Sequence, residues 1–110
     1  MKHSEPIKIS VVVPVYNEEE NLPVLIPKLA EVLKGLGPSY EMIFVDDGSS
    51  DGSRKILKEM ASQYPFLRIL RLRENRGLST ALLAGMREAR GDKIVTLDSD
   101  LQNDPADIPR

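Results

Sequence analysis

The chain has 110 residues, with 15 Lys and Arg against 17 Asp and Glu, 41% hydrophobic residues and no Cys. That length suits one small domain with a single core, and the supply of Val, Ile and Leu at a net charge of −2 excludes a disordered chain. The missing Cys exclude disulfide frameworks and thiolate metal sites, the lone His3 speaks against histidine catalysis and zinc, and the mild acidity speaks against nucleic acid as a partner.

Ile7 to Val15 is a nearly unbroken apolar run, as expected of a strand buried on both faces in a parallel sheet. Pro14 marks the end of its ladder. The acidic turn Asn17-Glu18-Glu19-Glu20-Asn21 then leads into a stripe of Leu22, Leu25, Ile26, Leu29, Leu33 and Leu36 at helical spacing. Pro23 suits a first turn, Pro27 is expected to kink the helix or delay its start, and Gly35, Gly37 and Pro38 end it. Met42 to Val45 is a second strand, stopped by Asp46-Asp47-Gly48. Ser49, Ser50, Asp51 and Ser53 offer caps for a second helix carrying Ile56, Leu57, Met60, Ala61 and Tyr64 and closing before Pro65. Phe66 to Leu72 is a third strand near an edge, Leu78 to Arg90 a third helix, and Lys93 to Leu97 a fourth strand.

Strands alternating with helices imply an α/β fold: a doubly wound, mainly parallel sheet with right-handed crossovers and helices on both faces. The whole of 1–110 reads as one unit, and Asp107-Ile108-Pro109-Arg110 stops where another element should begin, as in a truncated chain. No segment approaches the ~20 apolar residues of a membrane span, and the start lacks a signal peptide's apolar run. The expected location is cytoplasmic, with a place at the cytoplasmic face of the membrane left open.

In such a sheet all strands end on one edge, and ligands bind outside it. Each strand here is followed by polar residues, and three of the four by carboxylates. Helix capping accounts for Glu19, Glu20 and Asp51, but less well for acids at three strand ends. Asp98-Ser99-Asp100 follows the fourth strand; residues two apart in extended chain share a side, so Asp98, Asp100 and Gln102 can present oxygens together. Hard oxygen donors suit Mg²⁺ or Mn²⁺. The spacing alone is a weak signal, and its place after a strand supplies the information.

Asp46 and Asp47 have two readings, as caps of the second helix or, for Asp46, as acceptor from a nucleobase or ribose. Tyr16 either stacks on a base or packs. Arg73 and Arg76 either face a diphosphate or are solvated. Gly77, Ala81, Gly85 and Ala89 line one helix face, which implies close approach to the sheet. The first turn lacks Gly-x-Gly-x-x-Gly and Gly-Lys-Ser/Thr, which disfavours dinucleotide and P-loop sites.

Taken together, Val11-Val12-Val13-Pro14-Val15-Tyr16-Asn17-Glu18, Phe44-Val45-Asp46-Asp47-Gly48-Ser49-Ser50-Asp51-Gly52, Asn75-Arg76-Gly77 with Ala81 and Gly85, and Leu97-Asp98-Ser99-Asp100-Leu101-Gln102 resemble the family-2 glycosyltransferases of the GT-A fold. The tail Asp100-Leu101-Gln102-Asn103-Asp104-Pro105 with Ile108-Pro109 resembles the branch typified by dolichol-phosphate mannose synthase and undecaprenyl-phosphate sugar transferases. The resemblance implies that Pro14, Tyr16, Glu18 and Asp46 surround the nucleotide. It implies that Asp98 and Asp100 are the catalytic Asp-x-Asp, with Ser99 between them, holding the diphosphate through Mg²⁺ or Mn²⁺, with Gln102 as a further ligand. The implied reaction is inverting sugar transfer from a GDP- or UDP-sugar to a polyprenyl phosphate. Family members continue well past residue 110, so the chain is expected to hold the donor half only. On its own it should bind nucleotide weakly and turn over little. Self-association through an exposed sheet edge is a further expectation, as is membrane contact through the part that follows.

Three rivals stand beside this reading. A receiver domain places its acidic pair after the first strand, and a haloacid-dehalogenase-like phosphatase places Asp-x-Asp there too; here these follow the second and fourth strands. A non-catalytic binding or assembly module differs from a transferase in showing no metal-dependent response to UDP or GDP.

Overall fold

The computed structural model describes residues 7–37 and 39–99. Seven elements follow one another: β1 (Ile9–Val15), α1 (Leu22–Leu36), β2 (Tyr40–Asp47), α2 (Ser53–Ala61), β3 (Leu67–Leu72), α3 (Leu78–Glu88) and β4 (Lys93–Thr96). The four strands form one parallel sheet in the order β3-β2-β1-β4. The α/β, doubly wound architecture is therefore as expected, with β3 at an edge.

Alternation along the strands builds two unequal cores. Val11, Val13 and Val15 of β1, with Met42 and Phe44 of β2, meet Leu22, Leu25, Ile26, Leu29 and Leu33 of α1 and Leu57 of α2. Each such side chain contributes about 1.5–3 kcal/mol when fully buried, so this face carries most of the stability. Val12, Ile43 and Val45 point the other way, against Ala81 of α3. The approach of α3 is close because Gly85 faces the sheet: a Cβ there would lie 2.4 Å from Val12 Cγ1 and 3.0 Å from Val45 Cγ2. The stripe of small residues thus has the packing role expected of it.

Several boundaries differ from expectation. Strand β2 runs on through both aspartates, because Asp46 and Asp47 pair with Arg71 and Leu72 of β3. Helix α1 starts at Leu22 and carries Pro27 inside it. Helix α2 stops at Ala61, and Tyr64 instead packs edge-on against Phe66 at 5.9 Å. Pro14 does not end the β1–β2 ladder, which continues to Val15. It does lie beyond the β1–β4 ladder, whose last bond is Leu97 N–H to the Val12 carbonyl. In a strand a residue's N–H and C=O share one side, so position 14 turns toward β4 as position 12 does, and Pro14 has no N–H to offer there.

At the opposite end of the sheet, on the α3 face, sits a buried polar lock. The Glu41 carboxylate, 2% exposed, accepts from Ser10 Oγ at 2.6 Å, from Arg68 Nη1 at 2.9 Å and from the Arg90 N–H at 2.8 Å. Ser10 Oγ in turn accepts from the Gly91 N–H at 2.8 Å. Burial pushes the Glu41 carboxyl up, but these donors and the Arg68 charge outweigh it and hold its pKa below the ordinary carboxylate value. The lock fixes the turn that feeds β4. No side chain fits at Gly91, whose Cβ would lie 2.7 Å from Ser10 N and 2.9 Å from the Ile9 carbonyl carbon.

Candidate nucleotide-binding cleft

The strand order reverses at β1, which has β2 on one side and β4 on the other. Ligands of open parallel sheets bind outside the strand ends at such a switch point. A cleft of ≈ 380 Å³ opens there. Pro14, Tyr16 and Glu18 line it from β1 and the turn after it, Asp47 from β2, Asn75, Gly77 and Leu78 from the start of α3, and Asp98 and Ser99 from beyond β4. A larger cleft of ≈ 730 Å³ lies at the starting edge of the sheet, against Tyr40, Tyr64 and Phe66. It is lined mostly by apolar groups and gathers no carboxylate from a strand end, so the convergent polar chemistry lies at the rim.

Local hydrogen bonding explains how the loops hold this shape. Asn17 takes a left-handed backbone, φ 54°, which Asn tolerates better than most residues. Its Oδ1 accepts from the N–H groups of Ser50 at 2.8 Å and Asp51 at 3.2 Å, and its own N–H donates to Ser49 Oγ at 2.9 Å. Beside it the Glu18 N–H donates to Ser53 Oγ at 2.8 Å, and Glu19 Oε1 accepts from the Gly52 N–H at 3.0 Å. The serines expected to cap α2 therefore serve the neighbouring loop; helix α2 starts after Gly52 with no side-chain cap. Asp51 accepts from the Ser53 N–H at 2.9 Å. Its slight burial is outweighed by bonds from Ser53 and Glu19, and its pKa is lowered.

Neither strand-end aspartate caps α2. Asp46 is 1% exposed, its Oδ1 accepts the Ser49 N–H at 3.0 Å, and it is not among the residues lining the cleft. Alternation explains this, since Asp46 points to the α1 and α2 face and Asp47 to the α3 face. Asp47 binds the start of α3, accepting from the N–H groups of Arg76 at 2.7 Å and Gly77 at 3.0 Å and from Asn75 Nδ2 at 3.2 Å. Gly48 permits that contact: at φ +73° its Cβ would lie 2.5 Å from Asn75 N and Glu74 C. Arg76 pairs with Glu74 at 3.6 Å on the surface, and Arg73 is exposed; neither lines the cleft.

Pro14, Tyr16, Glu18, Asp98 and Ser99 are thus brought together as the sequence suggests, and Tyr16 keeps 48% of its surface exposed. Asp100 and Gln102 lie outside the described residues. Among the described residues no group of three His, Cys, Asp or Glu side chains could hold a metal ion. Asp98 is exposed at the cleft and has no hydrogen bond or ion pair within the described residues. A free carboxylate at a nucleotide-sized cleft fits the first of the oxygen donors that Mg²⁺ or Mn²⁺ requires. Val15, Asp47, Asn75, Gly77 and Leu78 are the lining residues that sequence reasoning did not assign to the cleft. The alternation of β2 carried the signal for Asp47, once the strand is extended through it.

Comparison with known proteins bears on the family and the fold. The model for "Glycosyl transferase family 2" matches residues 10–110. The undecaprenyl-phosphate 4-deoxy-4-formamido-L-arabinose transferase of Proteus mirabilis (strain HI4320) is 49% identical over 104 residues, covering 94% of this chain and 32% of that protein. Its namesake in Pectobacterium carotovorum subsp. carotovorum (strain PC1) is 50% identical over 104 residues, 93% of this chain and 32% of that protein. This chain thus spans about a third of the length of these curated relatives. Among solved structures, S. aureus TarS 1-349 superposes with a TM-score of 0.70 at 30% identity, over 86% of this chain and 28% of that one. The mannosyltransferase PcManGT from Pyrobaculum calidifontis, in complex with GDP-Man and Mn²⁺, superposes with a TM-score of 0.70 at 28% identity, over 87% of this chain and 30% of that one.

Proposed function

Because the chain belongs to glycosyl transferase family 2, we propose that it is the nucleotide-sugar-binding part of an enzyme that transfers a sugar, with inversion, from a GDP- or UDP-sugar to a polyprenyl phosphate. The observation that carries this reading is the cleft at the switch point, where Pro14, Tyr16 and Glu18 face Asp98 and Ser99 across the ends of β1 and β4. Tyr16 offers an exposed ring on which a base can stack. Pro14 and Glu18 complete that wall, and Asp98 and Ser99 lie where a diphosphate would sit. Asp98, with Asp100 and Gln102, would hold Mg²⁺ or Mn²⁺, which supplies charge stabilisation to a leaving diphosphate. An anionic acceptor phosphate needs no strong general base. The undecaprenyl-phosphate transferases similar to this chain support the acceptor class, and the neighbour with GDP-Man and Mn²⁺ supports the donor and metal class. No helix among the described residues is long and apolar enough to cross a membrane.

The test is thermal unfolding of the chain with UDP or GDP, with and without Mn²⁺. A nucleotide-induced rise in Tm that needs Mn²⁺ and disappears in Asp98→Asn is expected, since a ligand at 100 times its Kd stabilises by ~2.7 kcal/mol. A folded chain that responds to neither nucleotide in Mn²⁺ refutes the donor site and leaves the binding-module alternative.

A further inference from the structure

Resting on that reading of the cleft, we propose that Asn17 is a positioning residue. It latches the β1–α1 loop to the β2–α2 loop, so that Tyr16 and Glu18, its two neighbours, are held as one wall of the nucleotide cleft.

Tyr16 and Glu18 line the cleft, while Asn17 between them does not. It turns to the neighbouring loop, where Ser50 and Asp51 donate to its Oδ1 and Ser49 Oγ accepts from its N–H. Two backbone N–H groups on one side-chain oxygen also settle the amide's orientation. Among the described residues it is the one non-glycine with a positive φ. Position 17 therefore makes two separate demands, a left-handed backbone and a short acceptor arm. Asn and Asp meet both, Gly meets the first, and Ala meets neither. The latch lies at the surface, joins two loops and buries no apolar group, so the cores on either face of the sheet do not depend on it. What it governs is the relative place of the two loops. Loss of the arm should loosen Tyr16 and Glu18 and leave the strands intact.

The experiment compares Asn17→Asp, Asn17→Gly and Asn17→Ala in the full 110-residue chain, with two readouts. Amide hydrogen exchange without ligand should speed up at least tenfold at Glu18, Ser50 and Asp51 in Asn17→Gly and Asn17→Ala. It should stay near wild type in β1 and β2, and near wild type throughout in Asn17→Asp. Affinity for UDP or GDP with Mn²⁺ should fall about tenfold or more in Asn17→Gly, further in Asn17→Ala, and recover to within about threefold in Asn17→Asp. Unchanged exchange at Glu18, Ser50 and Asp51 in Asn17→Gly overturns the latch. A Gly variant that exchanges faster there yet binds nucleotide as wild type does also overturns it, because the bonds are then structural only. If wild type binds neither nucleotide, the proposed donor site fails, and the exchange pattern still decides whether Asn17 holds the wall.

Discussion

Replacing Glu41 by Gln tests the buried lock at the start of the sheet. The carboxylate offers two oxygens to three donors, Ser10 Oγ and the Arg90 N–H on Oε2 and Arg68 Nη1 on Oε1. Glutamine keeps one oxygen, and its NH₂ must then confront Arg68 or the pair formed by Ser10 and Arg90. Either way at least one donor faces a donor, and the charge opposite Arg68 is lost. Hydrogen bonds to a charged group contribute about 1.5–3 kcal/mol each, so a loss of about 2 kcal/mol is expected for Gln. Ala strands all three donors and should cost ~3–5 kcal/mol, from a total of roughly 5–15 kcal/mol. Urea unfolding followed by circular dichroism reads this directly. With m of about 1–3 kcal/mol/M, the Gln midpoint should fall by ~1 M at pH 7 with m unchanged. The pH dependence has a definite sign. Glu41 has a folded pKa below its unfolded value, so its stabilisation is complete above the ordinary carboxylate range and is lost as pH falls through the depressed folded value. Wild type and Gln variant should therefore converge in that acid window. A Gln variant as stable as wild type at pH 7, or a gap that persists unchanged to pH 3 in still-folded protein, would refute the reasoning.

Two glycines give further tests. Gly85→Ala places a methyl 2.4 Å from Val12 Cγ1; overpacking of ~1–3 kcal/mol outweighs or cancels a helix-propensity gain of ~1 kcal/mol. Urea midpoints should show wild-type stability or a loss of up to about 2 kcal/mol, with the penalty relieved in a Val12→Ala background; a stabilised Gly85→Ala in the native background contradicts the close approach. Gly48→Ala combines φ +73° with backbone atoms at 2.5 Å, so it should lose more than about 2 kcal/mol and speed amide exchange at Arg76 and Gly77, whose N–H groups Asp47 holds. Unchanged exchange there would show that the two loops are not in contact.

Much of the architecture was legible because the strands and helices announce themselves locally. The apolar run of β1 and the three- and four-residue spacing of Leu22, Leu25, Ile26 and Leu29 need no tertiary information. Gly85 was readable for a similar reason, since a mid-helix glycine carries a cost that close packing explains. What was not legible depends on partners far along the chain. Asp46 and Asp47 look like a strand terminator until β3 is beside them, and their opposite roles follow from which face each side chain meets. Ser49 and Ser53 have the composition of helix caps, yet their hydroxyls accept from Asn17 and Glu18, more than thirty residues away. Pro14 could be read for one neighbour and not the other, because the sequence does not say which side of β1 its missing N–H would have faced.

The contact at Gly48 has a consequence for how this protein can change over evolution. Its backbone abuts Glu74 and Asn75, and the next residues are laced to the turn after β1. Three connections therefore share one structural fate: an insertion in any of them disturbs the other two. Among the described residues, the segment leaving β4 is held instead by the Leu97 N–H bond to the Val12 carbonyl and by burial of the Leu97 side chain in the core. A change confined to the residues after Thr96 therefore leaves those three connections in register with one another, whereas a change in any one of them does not.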